Sequence, residues 1–281
     1  MQVTHFSDLI AYAKTAARRP VVALVCADDA HSRGALTRLE REGVLTALLC
    51  GDSSDREGAL AEAVEHIRAG RADAIMKGNI ETSDFLHAIL KRENGLRGSG
   101  LLSAIGLYEM PNYHKIFAVT DFAMNTTPDL AAKRAIIENA VALLRKLGIE
   151  TPKVAVLSEA EHVNAKIPAS VDAAELKRLN ASGEIANCVI EGPISIDLAM
   201  SREAAEIKSY SSPVAGDADL LVVPDVVAGN LLVKSLTMFG GAVTAGTILG
   251  AKIPVIMTSR SASEDDKYYS IALAAVAASE G

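Results

Sequence analysis

A hydroxyl, a guanidinium and a run of carboxylates fall within eight residues, at Ser259, Arg260 and Glu264 to Asp266. They follow the apolar run Ile253 to Met257 and open a helix-like segment, so they sit where a strand ends and a helix begins. Such junctions in open α/β sheets bind anions, because unpaired backbone N–H groups at the helix start point outward. Here Ser259 can hold a nucleophile or leaving group, Arg260 can grip a phosphate through two parallel hydrogen bonds, and Asp265 or Asp266 can take a proton. The same residues also make an ordinary helix start, with Ser261 or Ser263 as N-cap and the acids against the helix dipole. At this point both readings stand.

Three more strand ends carry polar groups. Lys77, Gly78 and Asn79 follow the apolar stretch Ala72 to Met76; glycine lets backbone N–H groups approach a phosphate and lysine adds a point charge. No GxxxxGK[ST] pattern is present, so this is not a Walker corner. Arg97 lies among Gly95, Gly98 and Gly100 as a further anion contact, and Asp121 and Asn125 lie four apart in the segment TDFAMNTTPD. Gly229 and Asn230 begin a helix with Lys234 one turn on, which gathers backbone amides, a side-chain amide and a cation on one face. An ordinary turn with a surface lysine fits that last group equally well. The histidines show no metal-ligand spacing; His31, beside Ser32 and Arg33 after the first strand, is the one placed near polar neighbours.

The elements that must position these groups alternate. Phe6 to Arg18 reads as a helix stopped by Pro20; Val21 to Cys26, Val44 to Cys50 and Ala72 to Met76 read as strands separated by helices over Gly34 to Glu42 and Glu57 to Gly70. Strand–helix alternation is the pattern of a parallel sheet covered on both faces. Leu101 to Tyr108 and Lys115 to Thr120 read as a hairpin-like pair joined by MPNYH. A long helix follows from Pro128 to Leu147, with Pro128 in its first turn and Thr126 or Thr127 as cap. The alternation restarts there, which sets a domain change at 127/128. The glycines Gly240, Gly241, Gly246 and Gly250 read as a stretch more flexible than a packed element.

Composition bounds the partners. The 281 residues suit two α/β domains, with 49% hydrophobic and 22% charged residues and few aromatics. A net charge of −7 argues against a general nucleic-acid or anionic-membrane binder, though local Arg and Lys can still reverse the field in a cleft. Cys26, Cys50 and Cys188 are odd in number and widely spaced, which suggests neither a disulfide framework nor a zinc site. With no signal-like start and no apolar stretch of spanning length, a cytoplasmic protein is expected.

Five ordered clusters resemble the phosphate acetyltransferase and phosphate butyryltransferase family, the butyryltransferase branch more closely. They are MKG at Met76 to Gly78, YEMPNY at Tyr108 to Tyr113, TDFAMNTTPD, EGPISID with VAGDADLLVVPDVVAGNLLVKSL, and PVIMTSR with YSIAL. The resemblance implies two α/β/α domains of the isocitrate/isopropylmalate dehydrogenase type with the active site in the cleft between them. It implies that the last segment returns to the first domain, giving residues 1–127 plus 252–281 and residues 128–251. It also implies the reaction acyl-CoA + phosphate ⇌ acyl phosphate + CoA by direct transfer in a ternary complex. Coenzyme A and inorganic phosphate then act as substrates, with no tightly bound cofactor, no metal, and a homodimer or larger homo-oligomer. By the same resemblance Ser259 orients the CoA thiol, Arg260 binds phosphate and steadies the carbonyl oxygen, and Asp266, seven residues after the serine, is the base. Lys77, Gly78, Arg97, Asn125, Asn230 and Lys234 are expected to line the phosphate and CoA sites. The acetyltransferase branch has an arginine where His87 stands, so the acyl pocket does not carry over. The rival readings are a two-domain protein that binds acyl-CoA or phosphate without turnover, a metal-dependent hydroxy-acid dehydrogenase of the same fold, and a phosphate acyltransferase using acyl carrier protein.

Overall fold

Aliphatic and β-branched runs form the strands, and helices with one apolar stripe cover them. The computed structural model describes residues 2–98, 100–259 and 262–278. In chain order it runs α1 (Phe6–Ala13), β1 (Val21–Val25), α2 (Ala30–Arg41), β2 (Thr46–Cys50), α3 (Arg56–Arg68), β3 (Ala74–Lys77) and α4 (Thr82–Leu90). A 3-10 turn (Arg92–Asn94) leads to β4 (Ser103–Glu109), β5 (Phe117–Thr120), α5 (Leu130–Lys146), β6 (Lys153–Leu157), α6 (Pro168–Ala181) and β7 (Val189–Ile194). Then come α7 (Ile196–Met200), α8 (Arg202–Ile207), β8 (Leu220–Val222), α9 (Val226–Met238), β9 (Val243–Leu249), β10 (Val255–Ile256) and α10 (Glu264–Ala278).

Packing divides the chain into two compact units, Val3–Leu102 with Val243–Gly281, and Ser103–Ala242. The sequence reading sets these boundaries at 127/128 and 251/252. Strand pairing moves them: β5 pairs with β8, which carries the β4–β5 hairpin into the second unit, and β9 pairs with β10, which carries Val243 to Ala251 into the first.

In the first unit the strand order is β2-β1-β3-β10-β9. The first four are parallel, and β9 runs against β10. The chain leaves β1 through α2 to β2 on one side, then returns through α3 to β3 on the other. Right-handed crossovers therefore place α2 and α3 on opposite faces, and the strand order reverses at β1. The helix α10 packs against α2, α1 and β9 and is buried almost all round, from Lys267 to Val276. Phe6 stacks on Tyr269 at 4.5 Å, and the Arg38 guanidinium lies 3.8 Å from the Tyr268 ring centre. The middle of the expected flexible glycine stretch, around Gly246, is instead β9, with Ala245, Thr247 and Ile248 buried. Small residues suit it because α10 lies close: the Gly246 N–H donates to Ser270 Oγ at 2.9 Å.

In the second unit the order is β4-β5-β8-β6-β7, with β4 antiparallel to β5 and the rest parallel. Tyr108, Phe117, Leu157, Ile194, Leu198 and Leu221 build its core. The long helix starts at Leu130, two residues past Pro128: Asp129 is the N-cap and accepts from the Ala132 N–H at 2.8 Å, a stronger partner for the helix dipole than Thr126 or Thr127. Asp217 ties the hairpin to the sheet. Its carboxylate meets Lys153 Nζ at 2.5 Å, Lys115 Nζ at 3.0 Å and His114 Nε2 at 2.8 Å.

Burial, the largest influence on Asp217, pushes its pKa up, but hydrogen bonds from Lys153, Lys115 and His114 outweigh it and hold the carboxyl well below the ordinary range. A carboxyl depressed in the folded state contributes stability that is present above its unfolded pKa of about 3.9 and is lost as pH falls through the folded value. Asp217→Asn is therefore expected to melt lower at neutral pH and to lose less stability than wild type on acidification below pH ~4. Parallel melting curves for the two proteins across that range would remove this role.

Candidate active site

Three strand ends meet where the order of the first sheet reverses. Residues Asp28 and Asp29 after β1, Lys77 to Asn79 at the end of β3, and Thr258 and Ser259 after β10 line a cavity of about 260 Å³, with Lys267 of α10 as its remaining wall. Carboxyl ends of parallel strands at such a reversal leave a crevice, because neighbouring helices depart to opposite faces. The close approach of β1 and β3 is built from backbone. The Gly78 N–H donates to Val25 O at 2.9 Å and the Asn79 N–H to Cys26 O at 2.8 Å. A Cβ at Gly78 would stand 2.3 Å from Cys26 O, so only glycine fits this corner without a shift. Cys26 itself is held at φ 53, a left-handed conformation that costs a β-carbon residue on the order of 1–3 kcal/mol.

Two buried ammonium groups face this crevice. Lys77 is 6% exposed and donates from Nζ to Ile80 O at 2.9 Å and Gly78 O at 3.2 Å, which fixes the turn from β3 into α4. Lys267 is 5% exposed; its Nζ lies 2.6 Å from Asp29 Oδ1 and 3.0 Å from Ser32 Oγ. Burial works to raise the Asp29 pKa, but the hydrogen bonds from Lys267 and Ser32 prevail and keep it ionised below its usual range. Asp29 also caps α2 by accepting from the Ser32 N–H at 2.8 Å. Sequence reasoning missed Lys267, since a lysine one residue after three acids reads as a solvated helix face. It also missed Asp28 and Asp29, which lie between the first strand and the helix that follows it.

Of the expected site residues, Lys77, Gly78 and Ser259 come together in this cavity. Arg260 lies outside the described residues. Asp266 is not among the cavity's lining residues and has other work. Its Oδ1 accepts from the Thr244 N–H at 3.1 Å and Thr244 Oγ1 at 2.8 Å, and its Oδ2 from the Ser263 N–H at 3.2 Å and Ser263 Oγ at 2.7 Å. Ser263 Oγ in turn accepts from the Asp266 N–H at 3.1 Å, which completes a reciprocal capping box. Both oxygens of this carboxylate are thus occupied by protein donors. Thus the cap reading of this segment is the one its geometry supports, and Asp266 anchors the start of α10 to β9. Asp265 is exposed and paired with Arg38 at 2.9 Å. His31 Nδ1 lies 3.3 Å from Ala262 O, which brings the first turn of α2 to the segment after Ser259.

Arg97 is exposed in the loop before β4 and is not part of the cavity. In the second unit Asn125 is held by Asp121, whose Oδ2 accepts from both its side-chain Nδ2 at 2.5 Å and its backbone N–H at 3.1 Å. Asn230 and Lys234 are exposed, four apart on α9. The Val226 N–H donates to Thr126 O at 3.1 Å, and a Cβ at Gly229 would stand 2.9 Å from Phe122 Cα, so the loop bearing Asn125 and the start of α9 are packed together.

A family model described as "Phosphate acetyl/butaryl transferase" matches residues 55–275. The chain belongs to this family. A probable phosphate butyryltransferase of Bacillus subtilis is 38% identical over 280 residues, covering 99% of this chain and 93% of the relative. A branched-chain phosphotransacylase structure from Enterococcus faecalis superposes with a TM-score of 0.83 at 35% identity, over 93% of this chain and 100% of that one. A putative 4-hydroxythreonine-4-phosphate dehydrogenase from Salmonella typhimurium shares the fold with a TM-score of 0.53 at 13% identity, over 92% of this chain and 99% of that one. The dehydrogenase-like α/β fold expected from the resemblance is thus the fold of this family member, whereas the base it assigned to Asp266 has a structural place.

The two roles of Asp266 separate by experiment. As an anchor, Asp266→Asn is expected to lower stability by about 1 kcal/mol, the scale of a lost cap, and to leave the pH profile of turnover in shape. A loss of roughly 10²-fold or more in rate, together with disappearance of the acid limb of the profile, would restore it as the general base.

Proposed function

We propose that this chain transfers a short acyl group, butyryl or branched-chain and possibly acetyl, between coenzyme A and inorganic phosphate. The family supports the reaction class. The observation that carries the site is the convergence of Ser259, Lys77 and Gly78 on one crevice, with Arg260 next in the chain after Ser259. In the acyl-phosphate-forming direction, a phosphate oxygen attacks the thioester carbonyl carbon, the C–O bond forms, and the C–S bond breaks. The CoA thiolate then leaves and takes a proton. In reverse the thiol, with an ordinary pKa near 8.5, gives up its proton before attacking the acyl phosphate.

Ser259 donates a hydrogen bond that orients the sulfur, and Arg260 holds phosphate and the charge that grows on the carbonyl oxygen. The buried Lys77 ammonium and the Gly78 and Asn79 corner give the crevice a fixed positive side. Asn125, Asn230, Lys234 and Arg97 contribute further contacts to the long, anionic CoA molecule. Positioning supplies much of the rate, since oriented groups reach effective molarities of ~10⁵ M or more. Free, buried Cys26, Cys50 and Cys188 agree with a reducing, cytoplasmic setting. Among the described residues no helix is long and apolar enough to cross a membrane.

Phosphate-dependent release of thiol from acetyl-, butyryl- and isobutyryl-CoA tests the reading and ranks the acyl groups. Arg260→Ala is expected to fall by roughly 10²-fold or more in kcat with its circular dichroism unchanged. Release without phosphate, or near-wild-type turnover in the variant, would sink the proposal; saturable binding with no release from any thioester would leave a binding protein.

The protein also acts as a homo-oligomer in this reading. Val227, Leu231, Met238 and Phe239 are exposed along α9, the last two at 73% and 84%. Beside them, Met110, Tyr113, Met200, Leu232 and Leu236 help to line an apolar-walled cavity of about 620 Å³ within the second unit. A second copy of this chain covers such a face by presenting the same residues in return. Phe239→Glu is expected to shift the sedimenting species to lower mass, and an unchanged mass would place the oligomer contact elsewhere.

A further inference from the structure

We propose that Cys50, Glu62 and His66 form a binding site for one thiophilic divalent cation, of the zinc class, on the edge of the first unit. The histidines and cysteines show no ligand spacing along the chain, but the fold gathers three donors. A sulfur, a carboxylate oxygen and an imidazole nitrogen from these residues all lie within 4.8 Å of one another. Two of the donors sit four apart on α3, so they share one helix face. The third ends β2, the edge strand, directly before Gly51. Gly51 adopts φ 50, and a Cβ there would stand 2.6 Å from Ala59 Cβ. That close approach presses α3 onto the strand end and brings Cys50 under the Glu62 and His66 turn.

The geometry suits a small cation. Tetrahedral zinc with bonds of about 2.0–2.3 Å to N, O and S holds its ligands roughly 3.3–3.6 Å apart. His66 Nε2 already stands 3.8 Å from Glu62 Oε1. The other separations, up to 4.8 Å, close by about an ångström on binding, and Glu62, with its side chain 48% exposed, can change rotamer to follow. Cys50 is fully buried, which supplies a rigid donor beneath two adjustable ones with solvent access for a fourth, water ligand. A soft thiolate beside imidazole and carboxylate favours zinc over magnesium or calcium.

The protons balance. Burial pushes the Cys50 thiol up to about 11, with Glu62 adding to the shift, so the metal displaces one thiol proton to solvent on binding. His66 Nδ1 now accepts from Arg71 Nε at 2.9 Å. With the cation on Nε2, the ring proton moves to Nδ1, the hydrogen bond from Arg71 Nε breaks, and Arg71 turns aside while keeping its Glu65 partner, now at 2.9 Å. None of the three ligands lines the crevice at Ser259, so the site is separate from the residues assigned to acyl transfer.

Titration of the full-length, tag-free, metal-stripped protein with Co²⁺ tests the site. One bound Co²⁺ with a cobalt–thiolate charge-transfer band is expected, bleached by an equivalent of Zn²⁺. The band is expected to vanish in Cys50→Ser and to persist in Cys26→Ser and Cys188→Ser. Glu62→Gln and His66→Gln are expected to weaken binding by at least about tenfold, the scale that even outer-shell partners carry, with thiol-release activity unchanged. Those two solvent-side variants decide the matter even where Cys50→Ser fails to fold. Absence of the band in wild type, its survival in Cys50→Ser, or unaltered affinity in His66→Gln overturns the proposal.

Discussion

The first unit depends on one ion pair, between the buried Lys267 ammonium and the partly exposed Asp29 carboxylate. Lys267 Nζ meets Asp29 Oδ1 and Ser32 Oγ across 238 positions of sequence, and joins the last helix to the turn after the first strand. Taking an ammonium out of water is costly unless its charge and hydrogen bonds are matched, so this contact admits few alternatives. It holds α10 against α2, and α10 in turn supports β9 through Ser270 and Asp266. The strand end carrying Ser259 therefore sits where the first and third strands also end. Loss of Asp29 would leave the Lys267 charge buried and unmatched, which is why the pair constrains the fold more than its net contribution to stability suggests.

The candidate site follows from that constraint together with glycine placement. Gly78 allows β3 to close on the carbonyls of Val25 and Cys26, and Lys77 satisfies the carbonyls that the next turn leaves open. Neither residue's role in holding the corner conflicts with a role toward phosphate. A positive group fixed by its own protein partners is preorganised, and such a group need not be reoriented when an anion arrives. Asp266 likewise has a structural place, with four donors on its two oxygens at the start of the last helix.

Most of the strands and helices were legible in the chain because aliphatic runs and 3.6-residue patterns are local signals. Ser259, Lys77 and Gly78 were legible for a related reason: each stands directly after an apolar run, at a strand's carboxyl end. The family resemblance was legible because its clusters are numerous and ordered along the chain. The strand β9 was not legible, since glycine, threonine and alanine signal flexibility unless another element is known to press on them. Nor was the start of α5 at Asp129, where three candidate caps compete over four residues and the carboxylate prevails.

What the sequence determined by itself is the set of local elements, the fold class and the polar strand ends, all of which rest on spacing within a few residues. Tertiary structure decided where the compact units divide, because strand pairing between distant segments assigns Ser103 to Thr127 and Val243 to Ala251. It decided that the buried Lys267 pairs with Asp29, that Asp266 shares a capping box with Ser263, and that Cys50 meets Glu62 and His66. Each of these depends on which surfaces a helix presents to a strand far away in the chain. Hydrophobic spacing records that a face is buried, but not which polar group waits on the other side.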